Sequence, residues 1–253
     1  MNSMQVVVDG LLTAYERSGK GKTVVLLHGW GDRASGLRGI RRALAAHFDV
    51  VAPDLPGFGG TQAPDAVWGL DDYATFVAHF VQKVGAADVY AYVAHSNGGA
   101  IVLRGLAHGE LTAARIALLA GAGIRGERRG RLQLLKYVTK AGKIFAAPLP
   151  PAVQRRLRHK LYGAVGSDLL VAEHLQETFK RVVGDDVRAD AATVTVPALL
   201  VYGELDQETP LRYGELFHEL LQGSTLEILP EAGHFVHLDR PHAVIRAVEE
   251  FLR

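Results

Sequence analysis

Three stretches of this chain carry residue types that can act together on a carbonyl compound. Val89-Tyr-Ala-Tyr-Val-Ala-His-Ser96-Asn-Gly-Gly-Ala100 places a serine between an apolar, β-branched and aromatic run and a segment that resumes with helical character. Gly203-Glu-Leu-Asp206-Gln-Glu-Thr-Pro210 displays carboxylates, and Pro230-Glu-Ala-Gly-His234-Phe235 presents a histidine behind a glycine turn. A serine hydroxyl is a weak nucleophile until a base takes its proton, and that base needs a third group to orient it. Ser96, His234 and Asp206 are the candidates for those roles, with Glu204 and Glu208 as alternative acids. His28, His95, His237 and His242 read as structural or solvated. Attack on a carbonyl creates an oxyanion that needs preorganised donors. The Asn97 N–H, directly after the serine, is one. The Trp30 N–H, in the turn His28-Gly29-Trp30-Gly31, is the expected second.

These residues need a scaffold that brings three distant loops to one place. A serine on a sharp strand-to-helix turn has the character of a nucleophile elbow, which demands small residues two positions either side. Ala94 and Gly98 meet that demand, with alanine where glycine is usual. Gly29 and His28 are expected to shape the loop that faces the elbow. Further strands are expected at Val6–Val8 and Leu11–Tyr15 around an Asp9-Gly10 hairpin turn, and at Thr23–Leu27, Asp49–Pro53, Arg115–Ala120, Ala198–Tyr202 and Thr225–Leu229. Helical patterns fill Gly36–Ala46, Leu70–Gly85, which opens with Asp71 and Asp72 at the positive end of its dipole, and Pro241–Leu252. Strands alternating with helices imply an α/β fold with a mainly parallel sheet covered on both faces. In such sheets chemistry gathers at the C-terminal strand ends, where Ser96, Asp206 and His234 all fall. The alternation breaks between about 123 and 190. We therefore expect a core of residues 1–122 and 191–253 with a helical insertion, 123–190, forming a lid.

Composition narrows the classes. The chain has no cysteine, which excludes a thiol nucleophile, disulfides and thiolate metal sites. No H-E-x-x-H spacing occurs, so no metal is invoked, and Gly57-Phe-Gly59-Gly60 lacks the spacing of a dinucleotide or phosphate loop. No cofactor is expected. A net charge of +1 gives no reason to expect nucleic acid. No signal-like start and no long apolar run is seen, so a cytoplasmic protein without a transmembrane segment is expected; oligomeric state is left open. Charge is uneven: residues 125–160 hold eleven Lys or Arg against Glu127 alone. Lys136 and Lys140, set opposite Leu135 and Val138, suit a lid packing its apolar face over the pocket.

With these residues in hand, the chain resembles the α/β-hydrolase family over nearly its whole length. The resemblance rests on His28-Gly29-Trp30-Gly31, Asp54-Leu-Pro-Gly57-Phe-Gly59, the elbow at Ser96, Gly203-Glu-Leu-Asp206 and Gly233-His234. It implies an eight-stranded sheet with a helical cap inserted after the sixth strand. Serine at 96 speaks against the family's epoxide hydrolases and haloalkane dehalogenases, which use aspartate. The reading favoured here is a carboxylesterase acting on a small-molecule ester, its activity falling as pH drops through the histidine's titration. The alternatives are a hydrolase of C–C bonds in ring-cleavage keto acids, whose carboxylate an arginine of the lid would clamp, and a slow small-molecule receptor on the same fold. Trp68, Phe58, Tyr137, Phe145 and Phe235 are candidates for an apolar acyl pocket.

Overall fold

A computed structural model describes residues 3–86, 88–125 and 175–253. Eight strands form one sheet: β1 (Met4–Val8), β2 (Leu11–Ser18), β3 (Thr23–Leu27), β4 (Asp49–Pro53), β5 (Val89–His95), β6 (Arg115–Leu119), β7 (Ala198–Gly203) and β8 (Thr225–Leu229). Their order across the sheet is β1-β2-β4-β3-β5-β6-β7-β8. The β1–β2 and β2–β4 pairings are antiparallel and all others parallel. The hairpin turn holds Asp9 at φ 49° and Gly10 at φ 81°, the two positive angles of a turn whose twist matches its strands.

Helices cover both faces. A 3₁₀ turn (Ala34–Leu37), α1 (Arg38–Leu44) and α8 (Pro241–Leu252) bury Leu37, Ile40, Leu44, Val244, Val248 and Leu252 against one side. On the other lie α2 (Leu70–Lys83), α3 (Asn97–His108), α4 (Gln176–Val183), α5 (Arg188–Ala191) and α6 (Leu211–Leu220). β5 shows why a parallel strand reads as a continuous apolar run: Ala91 and Val93 enter one core layer, Tyr92 and Ala94 the other. The stretch expected as one helix from Gly36 is a 3₁₀ turn followed by α1, which ends at Leu44.

At the start of α2 both aspartates lie in the first turn, and one of them caps the helix end by a hydrogen bond. Asp72 Oδ2 accepts the Gly69 N–H at 2.7 Å, whereas Asp71 Oδ2 takes Arg104 Nη1 at 2.9 Å. Arg104, buried on α3, also holds Asp190 Oδ2 at 2.8 Å and Asp185 Oδ1 at 3.0 Å. It thereby ties the returning end of the 123–190 stretch to the sheet-facing helices. Leu175, Val182 and Val187 from that end join the same core layer as α2 and α3. Lys136, Lys140, Leu135 and Val138, and nearly all of the basic 125–160 segment, lie outside the described residues.

Candidate active site

β5 ends at the centre of the sheet and the chain turns at once into α3. Ser96 sits on that turn with φ 50° and ψ −118°, a region that costs an L-residue on the order of 1–3 kcal/mol. The surroundings hold it there: Ser96 N–H donates to Leu119 O at 2.9 Å, and its carbonyl accepts Gly99 N–H at 2.9 Å and Ala122 N–H at 3.0 Å. The steric demand for a small neighbour is visible at Gly98, where a Cβ would fall 2.7 Å from Leu27 O and 2.9 Å from His28 O.

The two later loops meet the serine. His234 Nε2 is 2.9 Å from Ser96 Oγ, and His234 Nδ1 is 2.9 Å from Asp206 Oδ2. Asp206 is buried, and its other oxygen accepts the N–H groups of Glu208 at 2.7 Å and Thr209 at 3.0 Å. Burial works against its charge. The bonds from His234 and from the Thr209 hydroxyl and N–H outweigh that and hold the carboxyl below the usual carboxylate range. Since Asp206 accepts at Nδ1, the imidazole carries its proton there and leaves Nε2 free to accept the serine proton. Of the acids left open by the sequence, Asp206 is the one against His234. Glu204 Oε2 instead accepts Glu231 N–H at 3.2 Å, and Glu208 lies on the cavity wall.

The loop after β3 passes directly beside the elbow. A Cβ on Gly29 would lie 3.0 Å from Ser96 Cβ and 2.9 Å from His95 Nδ1, so glycine is required for this approach. His28 pins the loop: its Nδ1–H donates to Gly29 O at 2.7 Å and its Nε2 accepts Leu55 N–H at 2.9 Å. It is fully buried, and desolvation lowers its pKa despite the bond to Gly29, so it is a neutral brace. Trp30 and Asn97 line the same cavity as Ser96 and His234. Asn97 is the first residue of α3, where a backbone N–H has no acceptor within the helix. A carbonyl seated at Ser96 therefore meets a nucleophile, a base with its orienting acid, and the backbone N–H at the head of α3.

Several site residues carry no signal in the sequence. His95 Nε2–H donates to His234 O at 3.0 Å, and Gly233 N–H donates to Asp239 Oδ2 at 2.8 Å, so the histidine loop is tethered on both sides. Thr209 contacts both Asp206 and His234. Apolar walls come from Ala100, Ala122, Ile124, Phe179 and Val182. Of the aromatic residues expected to line the pocket, the three that are described do otherwise. Phe58 is buried edge-on beneath Trp30 at 4.9 Å, and Trp68 packs on Tyr73 and Phe76. Phe235 is exposed beside His95. An aromatic residue is equally suited to core and pocket, and only the fold decides. Tyr137 and Phe145 lie outside the described residues. No group of acids and histidines suited to hold a metal occurs among the described residues, and no helix among them is long and apolar enough to cross a membrane.

Comparison with known proteins agrees with this architecture. The chain is 27% identical to the 2-hydroxy-6-oxo-6-(2'-aminophenyl)hexa-2,4-dienoic acid hydrolase of Metapseudomonas resinovorans, covering 98% of this chain and 89% of that one. It is 28% identical to the pimeloyl-[acyl-carrier protein] methyl ester esterase of Chromobacterium violaceum, over 94% of this chain and 96% of that one. The solved structure of an esterase from Exiguobacterium antarcticum superposes with a TM-score of 0.76 at 25% identity, covering 100% of this chain and 99% of the other. The family model described as alpha/beta hydrolase family matches residues 24–247, and the chain belongs to that family.

Proposed function

We propose that the protein is a serine hydrolase of carboxylic esters with small to medium acyl groups. The observation that carries this is the unbroken relay from Ser96 Oγ through His234 to Asp206, each contact at 2.9 Å, at the wall of a largely apolar cavity. In this reading Ser96 Oγ attacks the ester carbonyl while its proton passes to His234 Nε2. The amides of Trp30 and Asn97 receive the developing oxyanion. His234 then gives the proton to the leaving alcohol, which departs from an acyl-serine. Water, deprotonated by His234, attacks that acyl group, and the returning proton restores Ser96 as the acid is released. Asp206 keeps the imidazole in the useful tautomer and stabilises its charged form. No cofactor enters any step. We further propose that residues 123–190 form a cap over this cavity, its returning end secured by Arg104.

Hydrolysis of a p-nitrophenyl ester series from acetate to palmitate by wild type and Ser96→Ala tests the assignment. We expect serine-dependent turnover with a chain-length optimum, and a rate that survives Ser96→Ala would overturn it. A second reading, cleavage of a C–C bond in a ring-cleavage keto acid, draws support from the Metapseudomonas relative, which is named for such a substrate. That chemistry wants a cation for the substrate carboxylate. Among the described lining residues there is no lysine or arginine, while Asp185 and Glu208 are present. Turnover of a vinylogous keto acid exceeding that of every ester in the series would favour the second reading.

A further inference from the structure

The hydroxyl of Thr209 stands at a junction that the roles above leave unused. The residue is buried, immediately ahead of Pro210 and helix α6. Its Oγ1 lies 2.7 Å from Asp206 Oδ2, 3.0 Å from Ala120 O and 3.2 Å from His234 Nδ1. A hydroxyl has one proton to donate. Here two acceptors are in reach, a carboxylate oxygen and a backbone carbonyl, and the shorter, charge-assisted bond is the one to Asp206. His234 Nδ1–H is directed at the same oxygen. Ala120, whose carbonyl is the other acceptor, is an alanine held at φ 49°, one of four non-glycine residues with positive φ among those described. A left-handed alanine persists only where its surroundings over-determine it, and such residues cluster at functional sites.

We propose that Thr209 is a positioning residue for the His234–Asp206 pair, its single hydroxyl proton shared between Asp206 Oδ2 and the Ala120 carbonyl. The proposal rests on His234 serving as the base. With the proton on Asp206, part of the charge at Oδ2 is satisfied and the carboxylate draws less strongly on an imidazolium. With the proton turned to Ala120 O, Oδ2 belongs to His234 alone and the imidazolium is held more tightly. The rotor therefore tunes the basicity of His234 without any bond to substrate. The other titratable groups facing the pair do not compete for this role. Tyr202 on β7 donates to Gly121 O at 2.8 Å, and Glu208 lies on the cavity wall. His95 on β5 and His237 on α7 (Val236–Asp239) are buried imidazoles, chiefly desolvated and held neutral.

Thr209→Val removes the hydroxyl at nearly constant shape, and Thr209→Ser keeps it. Thr209→Ala, which cannot overpack the site, repeats the test with a smaller side chain. One readout is the downfield NMR proton of His234 Nδ1, with its titration. It exists whether or not any ester is turned over. The other is the pH dependence of Ser96 phosphonylation by a fluorophosphonate, in which the serine O–P bond forms, the P–F bond breaks, the serine proton passes to His234 and fluoride leaves. We expect the valine variant to shift the resonance, to move the acid limb of labelling to higher pH by about one unit, and so to slow labelling about tenfold at pH values below that limb, the scale of one lost bond to a charged group. Serine should restore all three. A wild-type resonance and acid limb in both the valine and alanine variants overturn the proposal. So does an equal loss in the valine and serine variants, because that reports packing alone. If wild type is not labelled at Ser96, the ester reading falls, and the resonance still decides the role of Thr209.

Discussion

Acidification should destabilise this protein through a histidine that has no part in the chemistry. His237 is buried, and neither ring nitrogen has a hydrogen-bond partner among the described residues. Its ring sits 4.7 Å from that of His95. Burial, helped by the charge of His234 and opposed by Asp32 and Asp239, lowers its pKa to about 4. In the unfolded chain the same group titrates near ~6.5. Between those values the unfolded state binds a proton that the folded state refuses. Stability is therefore full above the unfolded value and is lost as pH falls from there towards about 4. Moving from pH 7.5 to pH 5.0, this single group removes about 2 kcal/mol, a sizeable part of a typical total of about 5–15 kcal/mol. His95 and His28 are lowered in the same direction, foremost by desolvation, and add to the loss. The assay is urea unfolding at both pH values, followed by far-UV dichroism and the fluorescence of Trp30 and Trp68, for wild type and His237→Asn. The variant starts from a lower stability, but its loss between the two pH values should be smaller than wild type's by about 2 kcal/mol. Equal losses would refute the reasoning, because they would mean that His237 is protonated or hydrated in the folded state.

Two further perturbations test the site and its support. Asp206→Asn should leave the fold intact but lower kcat by roughly 10³–10⁴, since an amide no longer fixes the imidazole tautomer; steady-state kinetics on the best ester of the series will show it, and a loss below tenfold would count against Asp206 as the orienting acid. Arg104→Met should cost about 3 kcal/mol in urea unfolding because it leaves the buried Asp190 beside Asp185 and Asp71 with His108 as its remaining partner, and a cost under about 1 kcal/mol would mean that solvent already screens the cluster.

What the sequence conveys is what local chemistry dictates. Apolar β-branched runs bounded by turn residues mark all eight strands to within a residue or two at most ends. The Asp9-Gly10 turn, Ala94 and Gly98 around the elbow, and the carboxylate and histidine loops are legible because their backbones demand particular residues. Contacts between distant parts of the chain are not. Nothing near Arg104 announces partners at Asp71, Asp185 and Asp190. His95 looks like any residue of a buried strand until the loop after β8 brings the His234 carbonyl to its Nε2. The wall residues Phe179 and Val182 belong to α4, a helix whose docking depends on the buried cluster it joins. Trp68 and Phe58 went the other way, because an aromatic side chain satisfies a core as readily as a pocket.

The sheet itself explains how loops can hold a relay to hydrogen-bond accuracy. Beyond the ends of β5, β6 and β7, the first residue of the loop donates to the carbonyl of the next strand over. Ser96 N–H reaches Leu119 O at 2.9 Å, Ala120 N–H reaches Val201 O at 2.8 Å, and Glu204 N–H reaches Leu229 O at 3.0 Å. The parallel ladder thus continues one step past β5, β6 and β7, in the same direction across the sheet. Those three steps fix, in turn, the nucleophile, the carbonyl that braces Thr209 and the start of the turn carrying Asp206. A loop anchored this way inherits the rigidity of a buried strand and not the mobility usual for surface connections. Positive φ at Ser96 and Ala120 is tolerated because each strained residue has its N–H already committed to a neighbouring strand. The geometry of the site is therefore a property of strand register, so a change that slips β6 against β5 or β7 would disturb Ser96 and Asp206 together, although it touched neither.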